Sequence, residues 1–250
     1  AVGAALVGVN PVVNLISADF CFRAMDAICN TAAKANFARP DLPITLVIQA
    51  EFLGAGPTTG QRIEALFTHI PGIDHIAIPS TPRDAYGLLM TALQTPGVTI
   101  VFEDRDIRDD LLSLADCRLL SPIGFSALER RHGNATPLAS VVTYGLMRQV
   151  VEEALDSSLN VDVIDLRVLY PIDWMEIRQS VRRSGRLVIV EPDIKFGGMG
   201  AELAAQISED CPQVKVKRIG GKRQTVPASE HLRQDWPPSK SQILQAVLDW

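Results

Sequence analysis

The chain has 250 residues and a formal net charge of −5, which bounds its size class and excludes several functions. A chain of this length favours about two domains, each large enough for its own core. Basic residues are scattered along the sequence, which argues against a nucleic-acid partner. No apolar run approaches the roughly 20 residues that span a bilayer. Residues 1–9 lack a basic leader, so we expect no signal peptide and no membrane segment.

The cysteines and histidines show no pattern typical of a metal site. Four cysteines form no CxxC pair and no metal-ligand spacing. Reduced thiols are the simplest interpretation, and they favour a cytoplasmic protein. The four histidines share no ligand spacing either. The sequence therefore predicts no metal ligand in this chain.

The first hundred residues alternate between helix and strand patterns. Residues 1–9 resemble the interior of a helix, and 11–16 is a strand candidate. Asp19 begins a long helical pattern, and we expect its apolar stripe to be buried. The stripe consists of Phe22, Met25, Cys29 and Ala33. The apolar run 43–48 predicts a strand covered on both faces, and 98–102 predicts another.

Between these two strands, the sequence predicts a loop, a helix, a short strand and a well-capped second helix. We expect 61–69 to bury one helical face. Its apolar positions are Ile63, Leu66, Phe67 and Ile70. Alternation at 75–79 predicts the short strand. Thr81 can cap the second helix, Pro82 occupies its first position, and Asp84 can answer the cap.

The second half repeats the alternation after a charged and turn-rich connection. Strands are predicted at 137–143, 161–166, 186–191 and 213–217. Helices are predicted at 146–155, 174–184, 200–208 and 241–248. Asp173 is the expected cap of the second of these helices, and Gly185 is its expected end.

Strands that alternate with helices predict parallel sheets with helical crossovers. The fold class is therefore α/β, with two doubly wound, mainly parallel-sheet domains. We predict the first domain at 1–120 and the second at 137–250. The segment 121–136 is rich in turn formers and is the predicted linker.

Four runs in the sequence occur in the same order in a known family. They are His-Ile-Pro-Gly at 69–72, Ile-Pro-Ser-Thr-Pro-Arg-Asp-Ala-Tyr-Gly-Leu-Leu at 78–89, Asp-Leu-Arg-Val-Leu-Tyr-Pro-Ile-Asp at 165–173 and Gly-Met-Gly-Ala-Glu at 198–202. The chain resembles the beta subunit of thiamine-diphosphate-dependent 2-oxoacid dehydrogenases, the decarboxylase component of pyruvate or branched-chain type. The resemblance covers essentially the whole chain. It implies a transketolase-like pyrimidine-binding domain, here without its N-terminal segment, followed by a transketolase C-terminal domain.

The resemblance implies a cofactor site on the first domain. Phe20 matches a phenylalanine that packs on the aminopyrimidine ring of thiamine diphosphate, and Ile16 matches a neighbouring apolar position. Thr58 and Gln61 belong to the loop beside this site. Such residues also suit a plain core position and a plain turn, so the resemblance alone favours the cofactor role.

Thr59 is the candidate catalytic position, and it departs from the family. Related subunits carry a histidine there, which assists chemistry at the cofactor and acyl transfer to lipoamide. A threonine hydroxyl forms hydrogen bonds but does not titrate near neutral pH. Loss of a general acid–base typically costs about 10²–10⁴-fold in rate. The chemistry therefore differs, a partner supplies the group, or the activity is weak.

Two other parts of the family's site have no match in the sequence. The glutamate that activates the cofactor lies upstream of the segment where this chain begins, and Glu51, which we place in the loop, does not match it. The Gly-Asp-Gly segment that holds Mg²⁺ and diphosphate is also absent. The glycines at 197–200 fail the GxGxxG pattern, and we expect them to allow tight helix packing rather than to bind an anion. In the family, a separate alpha subunit binds Mg²⁺ and diphosphate.

Three functions remain open from the sequence. The first is the beta subunit of a thiamine-diphosphate-dependent 2-oxoacid dehydrogenase, paired with an alpha subunit in an α2β2 heterotetramer. It would help to decarboxylate a 2-oxoacid and pass the acyl group to a lipoyl domain. The second is transketolase-like transfer of a two-carbon ketol unit from a sugar to a carrier-protein thiol or another acceptor. The third is a non-catalytic scaffold subunit.

Overall fold

The computed structural model describes residues 1–53, 59–107, 127–130, 135–233 and 236–250. The chain forms two compact units. Unit 1 contains 1–125 and 167–171, and unit 2 contains 126–166 and 172–250. Most of the predicted linker lies outside the described residues, so the predicted domain bounds stay a prediction.

Unit 1 contains a five-stranded sheet in the order β1-β2-β4-β3-β8. Its strands are β1 (Val12–Ser17), β2 (Thr45–Phe52), β3 (His75–Ala77), β4 (Gly97–Asp104) and β8 (Val168–Tyr170). The first four strands run parallel, and β8 pairs with β3 in the antiparallel sense. Because the parallel strands end at one edge of the sheet, the loops that follow them are brought together there.

Helices cover both faces of this sheet. Those of unit 1 are α1 (Val2–Leu6), α2 (Ala33–Ala38), α3 (Glu64–Thr68) and α4 (Pro82–Gln94). Leu88 of α4 packs with Val101 on one face. Phe67 of α3 lies 5.6 Å, centroid to centroid, from Phe102 on the other face. Since neighbouring strand residues point to opposite faces, the sheet is doubly wound, as predicted.

The long helix predicted from Asp19 is wrong in its form. The segment consists of a 3-10 turn at Ala18–Phe22, a π-helical turn at Ala27–Ala32 and then α2. Changes in the number of residues per turn move side chains off a 3.6-residue stripe. Of the four predicted stripe residues only Ala33 is buried, and Phe22 is 51% exposed. The residues buried instead are Cys21, Ile28 and Ala32.

The helix predicted at 61–69 is shorter than expected, and part of its predicted face is wrong. Ile63 and Phe67 are buried as predicted, but Leu66 is 50% exposed. The helix begins only at Glu64, whose side chain is itself fully buried. A charged residue therefore takes a place on the inner face, which the apolar pattern could not reveal.

Unit 2 contains the second five-stranded sheet, in the order β10-β9-β6-β7-β5. Its strands are β5 (Ala127–Arg130), β6 (Ser140–Thr143), β7 (Asp162–Asp165), β9 (Arg186–Ile194) and β10 (Lys215–Gly221). All neighbours are parallel except β5, which pairs with β7 in the antiparallel sense. A second mainly parallel sheet confirms the predicted fold class.

Unit 2 is also covered on both faces. Its helices are α5 (Met147–Ala154), α6 (Trp174–Ser184), α7 (Met199–Asp210), α8 (Glu230–Arg233) and α9 (Lys240–Leu248). Val141 of β6 packs against α5 and α9. The adjacent Ser140 points the other way and lies 2.6 Å, oxygen to oxygen, from Ser180 of α6. No helix in the described part of the chain is long and apolar enough to cross a membrane.

Three helix-terminus predictions are confirmed. Thr81 Oγ1 accepts a hydrogen bond from the Asp84 N–H at 3.1 Å, and Pro82 is the first residue of α4. Asp173 Oδ1 accepts one from the Glu176 N–H at 3.1 Å at the start of α6. Gly185 ends α6 with φ 69°, a left-handed conformation that favours glycine.

Candidate functional site

The candidate residues that the structure describes lie at the carboxyl edge of the unit 1 sheet. Ile16 is near the end of β1, and Phe20 lies in the 3-10 turn that follows. Thr59 and Gln61 lie in the loop between β2 and α3, and both are half-buried. Thr58 lies outside the described residues. An open α/β sheet binds ligands at this edge, so the position of these residues agrees with a binding role.

The end of β1 is a strained bulge centred on Ile16. The register against β2 passes from Asn14 opposite Gln49 to Ser17 opposite Glu51, so β1 contains one extra residue. Ile16 has φ 65°, which is rare for a β-branched side chain. Its N–H donates to Asn14 Oδ1 at 2.7 Å instead of to the neighbouring strand. The side chain is 61% exposed. Strain that leaves an apolar side chain exposed is typical of functional sites.

Phe20 is not a core residue. Its neighbours Ala18 and Cys21 are fully buried and hold the 3-10 turn against the sheet, whereas Phe20 is 44% exposed. Together, Phe20 and Ile16 give this edge an open apolar surface. Such a surface suits a flat aromatic ring, because stacking on phenylalanine contributes about 0.5–1.5 kcal/mol beyond area burial.

A single carboxylate oxygen joins the Phe20 turn to the loop that contains Thr59. Asp19 Oδ2 accepts a hydrogen bond from the Gly60 N–H at 2.9 Å and from Ser17 Oγ at 3.2 Å. Gly60 has φ 94°, a conformation that favours glycine. Asp19 therefore fixes Thr59 and Phe20 relative to each other. Sequence reasoning missed this role, although Asp19 follows a strand end at the ligand-binding edge.

A buried ionic cluster lies directly after Gln61, and sequence reasoning missed it too. The Arg62 Nε–H donates to Glu64 Oε1 at 3.0 Å, and the Nη1–H donates to Asp104 Oδ1. The guanidinium carbon lies 3.6 Å from the ring centroid of Phe52. The side chains of Arg62, Glu64 and Asp104 are 8%, 0% and 6% exposed. We call Arg62, Glu64, Asp104 and Phe52 the Arg62 cluster.

Two glutamates lie side by side at the ends of β2 and β4. Glu51 is opposite Glu103 in the strand register, and Gln49 Nε2 donates to Glu103 Oε2 at 2.8 Å. Burial raises the pKa of Glu103, and the charge of Glu51 raises it further, while the bond from Gln49 lowers it. The expectation that Glu51 lies in the loop is wrong, because β2 extends to Phe52.

The glycines at 197–200 are used for packing, as expected. Gly198 precedes α7, and the Gly200 N–H donates to Glu191 Oε2 at 2.8 Å. A Cβ at Gly198 would lie 2.5 Å from that same oxygen, and a Cβ at Gly200 would lie 2.6 Å from Glu191 Oε1. The carboxylate of Glu191 therefore takes the place at the helix N-terminus that an anion would need.

The described residues fit one half of the cofactor and not the other. The unit 1 edge offers an apolar surface and hydrogen-bonding groups, which suit a pyrimidine ring. No group of three or more His, Cys, Asp or Glu side chains in the described part of the chain could hold a metal ion. Glu191, which also pairs with Arg218, already occupies the anion position at the start of α7. Diphosphate and Mg²⁺ therefore find no fitting site on the described residues.

Comparisons with known proteins agree with both domain types. Residues 1–108 match the transketolase pyrimidine binding domain, and residues 131–243 match the transketolase C-terminal domain. A solved structure described as a split gene transketolase, inactive beta4 tetramer, superposes with a TM-score of 0.82 at 21% identity. The superposition covers 99% of this chain and 78% of the transketolase chain. At this identity, the likeness supports the fold.

Several similar curated proteins are beta subunits. The 2-oxoisovalerate dehydrogenase subunit beta of Bacillus subtilis (strain 168) is 32% identical over 88% of this chain and 69% of its own length. The pyruvate dehydrogenase E1 component subunit beta-2, mitochondrial, of Oryza sativa subsp. japonica is 28% identical over 99% and 68%. The pyruvate dehydrogenase E1 component subunit beta of Rickettsia felis is 27% identical over 99% and 78%. The chain belongs to the family of beta subunits of the thiamine-diphosphate-dependent 2-oxoacid dehydrogenases, with their transketolase-like domains.

Proposed function

We propose that this chain supplies the pyrimidine side of a thiamine diphosphate site in a 2-oxoacid decarboxylase. The reaction is the oxidative decarboxylation of a 2-oxoacid, with transfer of the acyl group to a lipoyl domain. The observation that supports the proposal is the half-exposed Phe20, joined through Asp19 to the loop of Thr59, in a chain of this family.

Three described residues would hold the pyrimidine half. Phe20 and Ile16 offer apolar surface to the ring, and Gln61 offers a side-chain amide that can donate and accept hydrogen bonds. Thr58 remains a proposed member of the same loop. When bound, thiamine diphosphate supplies the electron sink that stabilises the negative charge left as carbon dioxide departs. The protein contributes orientation and an apolar surface that limits access of water.

The diphosphate and Mg²⁺ belong, in this proposal, to an alpha-type partner subunit. Two observations support this division. The described residues contain no group of three or more His, Cys, Asp or Glu side chains that could hold a metal ion, and Glu191 takes the anion position at the start of α7. The proposed assembly is an α2β2 heterotetramer that meets a lipoyl domain or a carrier protein. We also propose a cytoplasmic location.

Thr59 favours a second candidate function. The family resemblance expects a histidine at this position, and threonine supplies no group that titrates near neutral pH. The same fold could then transfer a two-carbon ketol unit from a sugar to a carrier-protein thiol or another acceptor. A proton required by the reaction would come from the partner or the substrate.

Co-expression with an alpha-type subunit of the same family tests these functions. We would supply thiamine diphosphate and Mg²⁺ and follow donor consumption across a panel of 2-oxoacids and ketose phosphates. Consumption of an oxoacid supports the dehydrogenase function, and consumption of a ketose alone supports ketol transfer. A complex that retains the cofactor but consumes neither contradicts both. A complex that neither retains the cofactor nor consumes a donor indicates a scaffold subunit.

A Thr59→His variant sharpens the test. If the wild type consumes an oxoacid only slowly, restoring a titratable group should raise acyl transfer and give it a pH dependence near neutrality. If the natural reaction is ketol transfer, the variant should lose activity or leave it unchanged. Thr59→Val is the matched control, because it removes the hydroxyl and adds no titratable group.

A further inference from the structure

We propose that Arg62 is a positioning residue, which holds Thr59 and Gln61 in the orientation that the reaction needs. The proposal rests on the proposed function, because it concerns the same site. Arg62 does not reach the reaction itself in this proposal. It acts by fixing the loop between β2 and α3 to the ends of two strands.

The contacts of Arg62 join three elements. Its guanidinium pairs with Glu64 at the start of α3 and with Asp104 at the end of β4. The same group lies over Phe52 at the end of β2. Phe52 in turn stacks on Phe102 of β4 with a centroid distance of 5.3 Å. Residues 59–63 are therefore fixed to the carboxyl edge of the sheet by a buried side chain.

Gln61 has a fixed neighbour on each side. The Gly60 N–H is bound by Asp19, and Arg62 is bound by its cluster. Two residues with defined backbone positions leave little conformational freedom to the single residue between them. Thr59 is held on its C-terminal side only, through the bond between the Gly60 N–H and Asp19. The arrangement therefore orients both candidate side chains.

Stability alone does not explain the Arg62 cluster. Buried ion pairs contribute little to stability, since well-packed neutral side chains are often as stable or more stable. Here the side chains of Arg62, Glu64 and Asp104 are all charged and nearly inaccessible. Glu64 Oε2 has no hydrogen-bond partner among the described residues. Such a costly arrangement beside a candidate site favours a functional reason for its presence.

The test compares two changes in the complex with the alpha-type partner. Arg62→Met alone removes the cation that pairs with the buried Glu64 carboxylate and is expected to impair folding. The combined variant Arg62→Met, Glu64→Gln, Asp104→Asn removes all three charges and keeps similar volumes. Arg39→Met is the matched control, because Arg39 forms an exposed ion pair with Asp41 elsewhere in unit 1.

The readouts are thermal unfolding, amide exchange of the segment 59–63, and the separate values of kcat and KM for the donor. We expect the neutral triple variant to unfold cooperatively, to exchange amides in 59–63 at least tenfold faster, and to lose roughly 10–100-fold in kcat. KM should change little, since Arg62 does not contact the donor. Arg62→Lys should have a kcat between those of the wild type and the neutral triple variant. A lysine can pair with one carboxylate, but it cannot bind both as the planar guanidinium does.

Two outcomes would overturn the proposal: unchanged amide exchange in the triple variant, or faster exchange with kcat unchanged. If the role of Arg62 is purely structural, kcat and the unfolding temperature should fall together in every variant. Arg62→Lys would then restore both or neither. A wild-type complex that consumes no donor overturns the proposed function instead. The exchange measurement still decides whether Arg62 holds the loop.

Discussion

Replacing Phe20 by alanine should weaken the binding of thiamine diphosphate to the complex of this chain with its alpha-type partner. The ring is 44% exposed at the carboxyl edge of the unit 1 sheet, and no described element covers it fully. If the pyrimidine ring stacks there, the substitution removes both the stacking and the apolar area that the ligand covers. Fold stability should also fall, because the substitution removes the buried part of the ring as well, so thermal unfolding is measured beside binding.

The magnitude follows from the exposed area. A phenylalanine side chain presents on the order of 200 Å², so its exposed part is about 90 Å² here. A flat ring that covers half of that area gains about 1 kcal/mol at 25 cal/mol per Å². Stacking adds about 0.5–1.5 kcal/mol. The total of about 2 kcal/mol corresponds to a Kd that is about 30-fold weaker.

Calorimetric titration of the complex with thiamine diphosphate in the presence of Mg²⁺ measures this change without requiring turnover. Phe22→Ala is the matched control, since Phe22 lies in the same turn and is 51% exposed. It should change Kd less than about twofold. Equal losses in both variants would show only a damaged turn. An unchanged Kd in Phe20→Ala would refute the stacking argument.

Three further predictions concern single residues of unit 1. Burial raises the pKa of the Cys21 thiol to about 12, so iodoacetamide at pH 8 should label the less buried Cys29 first and Cys21 only after unfolding, as read by mass spectrometry. Burial raises the pKa of Glu103 above its ordinary 4.5, so the free energy of unfolding of the wild type falls as the pH rises above 4.5. Glu103→Gln should therefore unfold at a higher temperature than the wild type at pH 7, with no gain below pH 4.5. Gly72→Ala should cost about 3 kcal/mol in denaturant unfolding, because Gly72 has φ 93° and a Cβ would lie 1.7 Å from the Ala33 carbonyl oxygen; a cost below about 1 kcal/mol would contradict this.

The fold was predictable where local chemistry determines it. Thr81 and Asp173 cap their helices as expected, because a side-chain oxygen at that position satisfies an otherwise unpaired N–H. The apolar strands are predicted well for a related reason. A strand covered on both faces must be apolar along its whole length, and Val47 and Val101 are both fully buried.

Tertiary contacts determine the parts that the sequence did not reveal. The run at 168–170 follows β7 in the chain, yet it pairs with β3 in the sheet of unit 1. No pattern within three residues can name a distant partner strand. The π-helical turn before α2 is a similar case. Its hydrogen bonds span one residue more than those of an α-helix, which changes the side chains that are buried, and no local sequence pattern marks this change.

Some residues of the candidate site could be named from the sequence, and others could not. Phe20 and Ile16 could be named from the resemblance, and the strand-end rule places them at the ligand edge. Arg62 could not, because its partner Asp104 is 42 residues away in the sequence. The ionic contact forms only because β2 and β4 are neighbours and end at the same edge. Glu64 lies within the apolar helical pattern, but the pattern does not show that its side chain is buried.

Residues 59–62, in the described part of the loop between β2 and α3, combine a held backbone with a change from the residue that the family resemblance implies. Asp19 and Arg62 hold the backbone on either side of Gln61, so the side chains of 59–61 are kept in place. Yet Thr59 supplies a hydroxyl, which can orient a substrate group but cannot exchange a proton near neutral pH. A held Thr59 that does not titrate near neutral pH favours a reaction in which this chain positions the donor and the proton moves through the partner subunit or the acceptor. The pH dependence of turnover should then follow substitutions in the partner and not Thr59→Val.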